Sequence, residues 1–137
     1  MRLLRMAGMV VMLPALMAAQ DVTTPAQKPA VTVSLRDSRQ VVHLKTGDLI
    51  AIRLDSNPST GFTWTVRQRR GDVLTQKGMV HESGGVGIAP GAGGTDVWTF
   101  EAARTGTERL TFRLLRPGEK DATAAKTAWY SVVVQRP

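Results

Sequence analysis

The sequence predicts an all-β domain, a sandwich of roughly seven or eight short strands without disulfides. Three observations lead there. From Val31 onward apolar residues recur with period two in short segments, Gly, Pro, Asn and Asp separate the segments, and no helical period is sustained. The chain contains no cysteine, so core packing alone must hold the sheets together. At 137 residues there is room for one domain with a sizeable core and not for two.

The first segment stands apart from this domain. Arg2 and Arg5 precede an uncharged apolar run over 6–19, the pattern of a signal peptide spanning 1–19. A permanent transmembrane helix fits less well, because the run is short and carries Pro14; a buried N-terminal helix is the other alternative. Cleavage is expected after Ala18 or Ala19, with Leu16 or Met17 an imperfect match to the small residue preferred upstream. No cysteine follows, which excludes lipid attachment at a processed cysteine. The expected product is exported, periplasmic or secreted, with 16 basic and 11 acidic side chains and a net charge of +5. Residues 20–30, with Pro25 and Pro29, read as a flexible leader, and 31–137 as the domain.

The expected strands are 31–35, 40–44, 48–54, 62–67, 78–81, 95–102, 107–115 and 127–134. Alternation gives them an inner face made of Ile50, Ile52 and Leu54, then Phe62, Trp64 and Val66, then Trp98 and Phe100, then Leu110, Phe112 and Leu114, and finally Tyr130, Val132 and Val134. Trp129 has the opposite parity and should face solvent or a neighbour.

Three connections at 56–61, 82–94 and 116–126 exceed what a minimal sandwich needs. If the first two segments are one broken edge strand of an immunoglobulin-like sandwich, these become the B–C, D–E and F–G loops, which emerge at one end. Loops on a rigid scaffold are where binding surfaces are built.

Few residues invite catalysis or ligation. His43 and His81 are the two histidines, and the spacing of Asp72, Asp96, Ser59 and His81 carries no sign of a triad. The run Gly91-Ala92-Gly93-Gly94 feeds a strand and not a helix N-terminus, so a phosphate cradle is not expected. No cluster has metal-ligand spacing. The expectation is therefore a non-enzyme with no catalytic residue, no metal and no cofactor. The basic balance, including Arg67, Arg69 and Arg70 at a strand end before Gly71, has three readings: an acidic protein partner, an anionic surface, or ordinary solubility. Without an aromatic-rich basic platform or a nucleic-acid motif, nucleic acid is not expected as a partner.

Three motifs then converge. Asn57-Pro58-Ser59-Thr60-Gly61-Phe62 resembles the B–C loop of the chagasin family, proteinaceous inhibitors of papain-like cysteine peptidases; Gly91-Ala92-Gly93-Gly94-Thr95 is similar to its Gly-x-Gly-Gly loop, and Arg116-Pro117 to the start of its Arg-Pro-Trp loop. The resemblance extends over about 31–134 and implies a disulfide-free immunoglobulin-like sandwich that acts as a monomer. It implies a papain-like (clan CA) cysteine peptidase as partner, no stable membrane insertion after signal cleavage, and tight, reversible inhibition by three loops wedged into the active-site cleft. By position, Asn57 to Phe62 would reach the catalytic centre, Gly91 to Gly94 would line one side, and the loop from Arg116 would flank the other. Pro58 would stiffen the central loop and Gly61 would supply a positive-φ turn tipping Ser59 and Thr60 outward.

Gly118 stands where the family usually has an aromatic after Arg-Pro. A buried interfacial aromatic is worth on the order of 2 kcal/mol or more, so this chain is expected to inhibit more weakly than an aromatic-bearing relative. Gly118 is also the cue for the alternative, an envelope binding module that uses the same sandwich on a different protein partner.

Overall fold

The computed structural model describes residues 27–84, 93–120 and 123–137. The expected signal peptide and most of the leader lie outside the described residues. Among these residues, eight strands form two four-stranded sheets: β1 (Val31–Ser34), β3 (Leu49–Ser56), β6 (Gly94–Ala102) and β5 (Leu74–Ser83) in one, and β2 (Val41–Lys45), β8 (Lys126–Gln135), β7 (Gly106–Leu115) and β4 (Thr63–Gln68) in the other, each in that spatial order. The all-β, immunoglobulin-like expectation holds.

Alternation sorts the side chains as the sequence suggests. Ile50, Ile52, Leu54, Phe100, Leu110, Phe112, Tyr130 and Val132 are all fully buried. The facing sheets interlock through aromatic edges: the Phe112 ring lies 5.6 Å from Trp98, 6.4 Å from Phe100 and 6.1 Å from Tyr130, every pair T-shaped. Phe62 departs from the expected inner set. It precedes β4 and is only half-buried, so it belongs to the loop.

The first two segments are not one broken edge strand. β1 runs parallel to β3, β2 runs parallel to β8, and the hairpin order of the remaining strands makes β3 and β8 point in opposite directions. The chain therefore reverses over 35–40 and crosses between sheets. The reversal is fastened by hydrogen bonds: Asp37 Oδ2 accepts from Ser34 N–H at 2.8 Å, Tyr130 Oη donates to the Ser34 carbonyl at 2.7 Å, and Arg39 N–H donates to the Trp129 carbonyl at 2.7 Å. Arg39 holds a left-handed φ of 73° to do so.

β5 begins four residues before the expected segment at 78. Residues 75–83 are exposed, so the ladder to β6 and not burial makes this edge strand, and a bulge between Gln76 and Gly78 interrupts it. Glu108 is also unexpected: a carboxylate with no exposed surface, accepting from Arg70 and Gly71 N–H groups at 2.8 Å each. It satisfies the backbone of the turn after β4, where Gly71 takes a φ of 82°.

Burial raises the Tyr130 phenol from 10.0 to about 12, and the Asp37 carboxylate pushes in the same direction. The folded state thus holds this proton more tightly than the unfolded chain, and the associated stability is complete below pH 10 and lost as pH rises from there toward 12. In urea unfolding across this window, the wild-type protein should lose up to about 1.4 kcal/mol per pH unit relative to Tyr130→Phe. A constant difference between the two proteins would contradict it.

Candidate functional site

Strand register sets where the loops sit. Ser56 at the end of β3 and Ser83 at the end of β5 both pair with Gly94, while Thr63 pairs with Leu115 and Leu114 with Lys126. The loops after β3, β5 and β7 therefore leave the same end of the sandwich, as the sequence predicts.

The first loop is a capped 3-10 turn, Pro58–Thr60. Asn57 stays extended, and its Oδ1 accepts from Ser59 N–H at 3.3 Å and from Ser59 Oγ at 2.6 Å. Pro58 takes the first turn position, where no N–H is needed. Thr60 Oγ1 donates to the Asn57 carbonyl at 2.7 Å, and Gly61 closes the turn with φ 79°. Pro58, Ser59 and Thr60 project into solvent, the outward tip that the Pro–Gly pattern predicts. Below the tip, Trp64 Nε1 donates to the Asp55 carbonyl at 2.9 Å and clamps the two flanking strands together.

Of the glycine loop, Gly91 and Ala92 lie outside the described residues, whereas Gly93 sits at its foot. Gly94 and Thr95 belong to β6, because the ladder with β3 and β5 continues through both. A Cβ on Gly94 would collide with the Glu82 carbonyl oxygen and come within 2.9 Å of His81 Nε2. His81 is held there by Asp96, whose Oδ1 lies 2.6 Å from His81 Nδ1 across the β5–β6 ladder. These two of the four conceivable triad members do meet; Asp72 pairs with Arg70 at 3.6 Å, and the Ser59 hydroxyl engages Asn57.

The third loop opens with a tight turn. Glu119 N–H donates to the Arg116 carbonyl at 3.0 Å, Pro117 is second, and Gly118 is third with φ 84°. That is the signature of a type II turn, and it gives Gly118 a conformational role. Glu119 Oε2 accepts from Arg116 N–H at 2.9 Å, while the Arg116 guanidinium lies over the Phe62 ring, 4.4 Å from its centroid. Two of the loops are thereby joined. Between the loop feet opens a cavity of about 400 Å³, lined among others by Asn57, Thr60, Phe62, Gly93, Leu114 and Lys126. The sequence did not point to Leu114 as a wall of this cavity and placed Lys126 at the end of the third loop, whereas the structure begins β8 there and register brings both residues beside the first loop.

No group of three or more His, Cys, Asp or Glu that could hold a metal exists among the described residues. What the site offers is shape: a rigid exposed turn, a close-packed glycine strand start and a guanidinium–aromatic notch.

The profile of the chagasin family peptidase inhibitor I42 matches residues 43–132. Amoebiasin-2 of Entamoeba histolytica is 29% identical over 104 residues, covering 73% of this chain and 81% of that protein. The crystal structure of EhICP2, a cysteine protease inhibitor from Entamoeba histolytica, superimposes with a TM-score of 0.64 at 22% identity, over 79% of this chain and 100% of that one. PbICP-C, solved in complex with falcipain-2, matches with a TM-score of 0.55 at 14% identity, over 76% and 98% of the two chains. These two structural likenesses show a shared fold.

Gly94→Ala should destabilise the protein by about 1–3 kcal/mol in urea unfolding, since a strand carbonyl cannot yield as a side chain does. Gly93→Ala would come no closer than 3.2 Å, to the Ser56 carbonyl oxygen, with Asn57 Cβ at an ordinary 3.7 Å, and should cost less. Equal losses would contradict the packing role given to Gly94.

Proposed function

The chain belongs to the chagasin family of peptidase inhibitors, and from that membership we propose that it inhibits papain-like cysteine peptidases reversibly, its three loops at 56–62, 82–95 and 116–126 filling the active-site cleft as a wedge. The observation that supports the reading is the common end of the sandwich at which the strands bounding all three loops finish, with the turn Pro58–Thr60 exposed there. The turn's internal hydrogen bonds support reversible occupation. Asn57 and Thr60 hold its backbone in a closed turn, whereas attack by a thiolate needs an extended peptide bond with the carbonyl aligned for the nucleophile. Because the loop is ordered before contact, little conformational entropy is lost on binding.

Gly118 takes on a second meaning in this reading. A tryptophan there would add an interfacial anchor worth about 2 kcal/mol, yet an L-residue in the left-handed region costs about 1–2 kcal/mol. The Arg116–Phe62 stack supplies a flat surface beside this turn. Export to the periplasm or medium is part of the proposal, supported by Arg2, Arg5 and the uncharged run over 6–19. Fractionation of cells producing the full chain should place the protein outside the cytoplasm with its start within a residue or two of position 19, and cytoplasmic protein retaining Met1 would refute export.

Titrating active papain with the purified protein should give competitive inhibition that reverses on dilution. Asn57→Ala, which uncaps the turn, should raise the inhibition constant about tenfold, and Gly118→Trp should change it by less than about tenfold in either direction. Absence of inhibition of both papain and a cathepsin L-type enzyme at micromolar concentration would end the proposal.

A further inference from the structure

The outer face of the β2–β8–β7–β4 sheet carries a feature that peptidase inhibition does not use. Its inward positions are mostly apolar, with Gln68, Glu108 and Lys126 the polar ones, and its outward positions follow by alternation. β4 and the residue beyond it present Thr65, Arg67 and Arg69; β7 presents Thr107, Arg109, Thr111 and Arg113; β8 presents Trp129, Ser131 and Val133; β2 presents Val41, His43 and Lys45. No Asp or Glu occupies an outward position on these four strands.

Register assembles the arginines into one field. Arg67 pairs with Thr111, Thr65 with Arg113, and Arg69 N–H donates to the Arg109 carbonyl at 3.1 Å. Thr111 then pairs with Trp129 and Arg109 with Ser131, and the Arg109 guanidinium lies 4.3 Å from the Trp129 ring centroid. Two adjoining troughs run between these side chains: one of about 330 Å³ lined by Arg67, Gln68, Arg69, Arg109, Thr111 and Arg113, and one of about 440 Å³ lined by Arg69, Arg70, Thr107, Arg109 and Ser131. Asp72, paired with Arg70 at 3.6 Å, sets a carboxylate at the rim. From Arg113 to Thr107 the face extends ~20 Å along the strands and its four strands span ~14 Å, with the arginines on β4 and β7 at one side and Lys45 and His43 on β2 at the other.

We propose that this face docks on an anionic phospholipid surface, its arginines over lipid phosphates. Two properties favour a bilayer surface over a soluble polyanion. The face is broad and sheet-like, so many headgroups can be met at once. It also sets apolar and aromatic groups beside the charge: Trp129 is half-buried, Val133 lies two outward positions further along β8, and Val41, which pairs with the Ser131 between them, is 57% exposed. Tryptophan belongs at the headgroup level of a bilayer, where its ring is neither fully wet nor fully dry. Adsorption of this kind involves no insertion of a spanning segment. The three loops leave the end of the sandwich and not this face, so a surface-bound molecule still presents them outward.

Sedimentation with vesicles of phosphatidylcholine containing 30% phosphatidylglycerol tests this. At low ionic strength the full-length exported protein should bind these vesicles, fail to bind pure phosphatidylcholine, and be released by about 0.5 M salt as screening shortens to a few ångströms. Each charge near the surface contributes about fivefold in partitioning, so Arg67→Gln/Arg69→Gln/Arg109→Gln should weaken binding about a hundredfold. Arg67→Lys/Arg69→Lys/Arg109→Lys, which keeps the charge, should retain it. Lys28→Gln/Lys77→Gln/Arg104→Gln removes as much charge elsewhere and should lose at most about tenfold. Equal losses in the two glutamine variants would reduce the effect to net charge and overturn the proposal. So would equal binding to neutral vesicles, or retention on heparin or nucleic acid without vesicle binding.

Discussion

Phe112 stands where the two sheets meet, edge-on to Trp98 and Phe100 from the opposite sheet and to Tyr130 from its own strand neighbour. In a chain without cysteine, this contact is the fastening between layers that a disulfide supplies in many exported sandwiches. Ring pairs of this geometry add about 0.5–1.5 kcal/mol each beyond the area they bury, and they also set the relative position of the sheets. Every functional feature inherits that position. The first loop bridges one sheet to the other, the glycine loop belongs to one, and the third loop to the other. Their mutual placement is a property of the core.

The loop end shows how little chemistry recognition needs. Its components are a capped turn, a glycine packed against a carbonyl oxygen and a histidine, and a guanidinium laid on an aromatic ring. Each restricts conformation instead of supplying a reactive group, in keeping with a family of inhibitors and not of enzymes. The same logic explains the His81–Asp96 pair. Its imidazole fills the space that Gly94 leaves beside β5, and the pair braces the foot of the glycine loop.

Under the two proposals, the end and the face of the sandwich serve different kinds of interaction. The described residues of the loop end carry charges of both signs, among them Asp55, Arg116, Glu119 and Lys126, whereas the outer face of β4 and β7 concentrates arginine. Shape-based recognition needs order before contact; an electrostatic surface tolerates mobile side chains, because the field acts over a distance of about 8–10 Å at ordinary salt.

Period-two alternation alone determined the strands and most of the core, because burying one face of a pleated ribbon writes the fold directly into the residue order. Ile50, Phe112 and Tyr130 could be assigned inward without coordinates. The Pro–Gly chemistry of 57–61 likewise foretold an exposed turn, since both effects are local. What tertiary structure decided was everything set by contact between distant segments. Residues 74–77 are a strand only because β6 offers its ladder; the first two strands oppose each other only because each finds a parallel partner in a different sheet. Glu108 is buried because two backbone N–H groups claim its carboxylate, Phe62 left the core for Arg116, and Gly94 left the loop for β6. The arginine field is the clearest case. Arg67 and Arg69 are some forty residues from Arg109 and Arg113, and nothing in residue order joins them until strand register lays β4 beside β7.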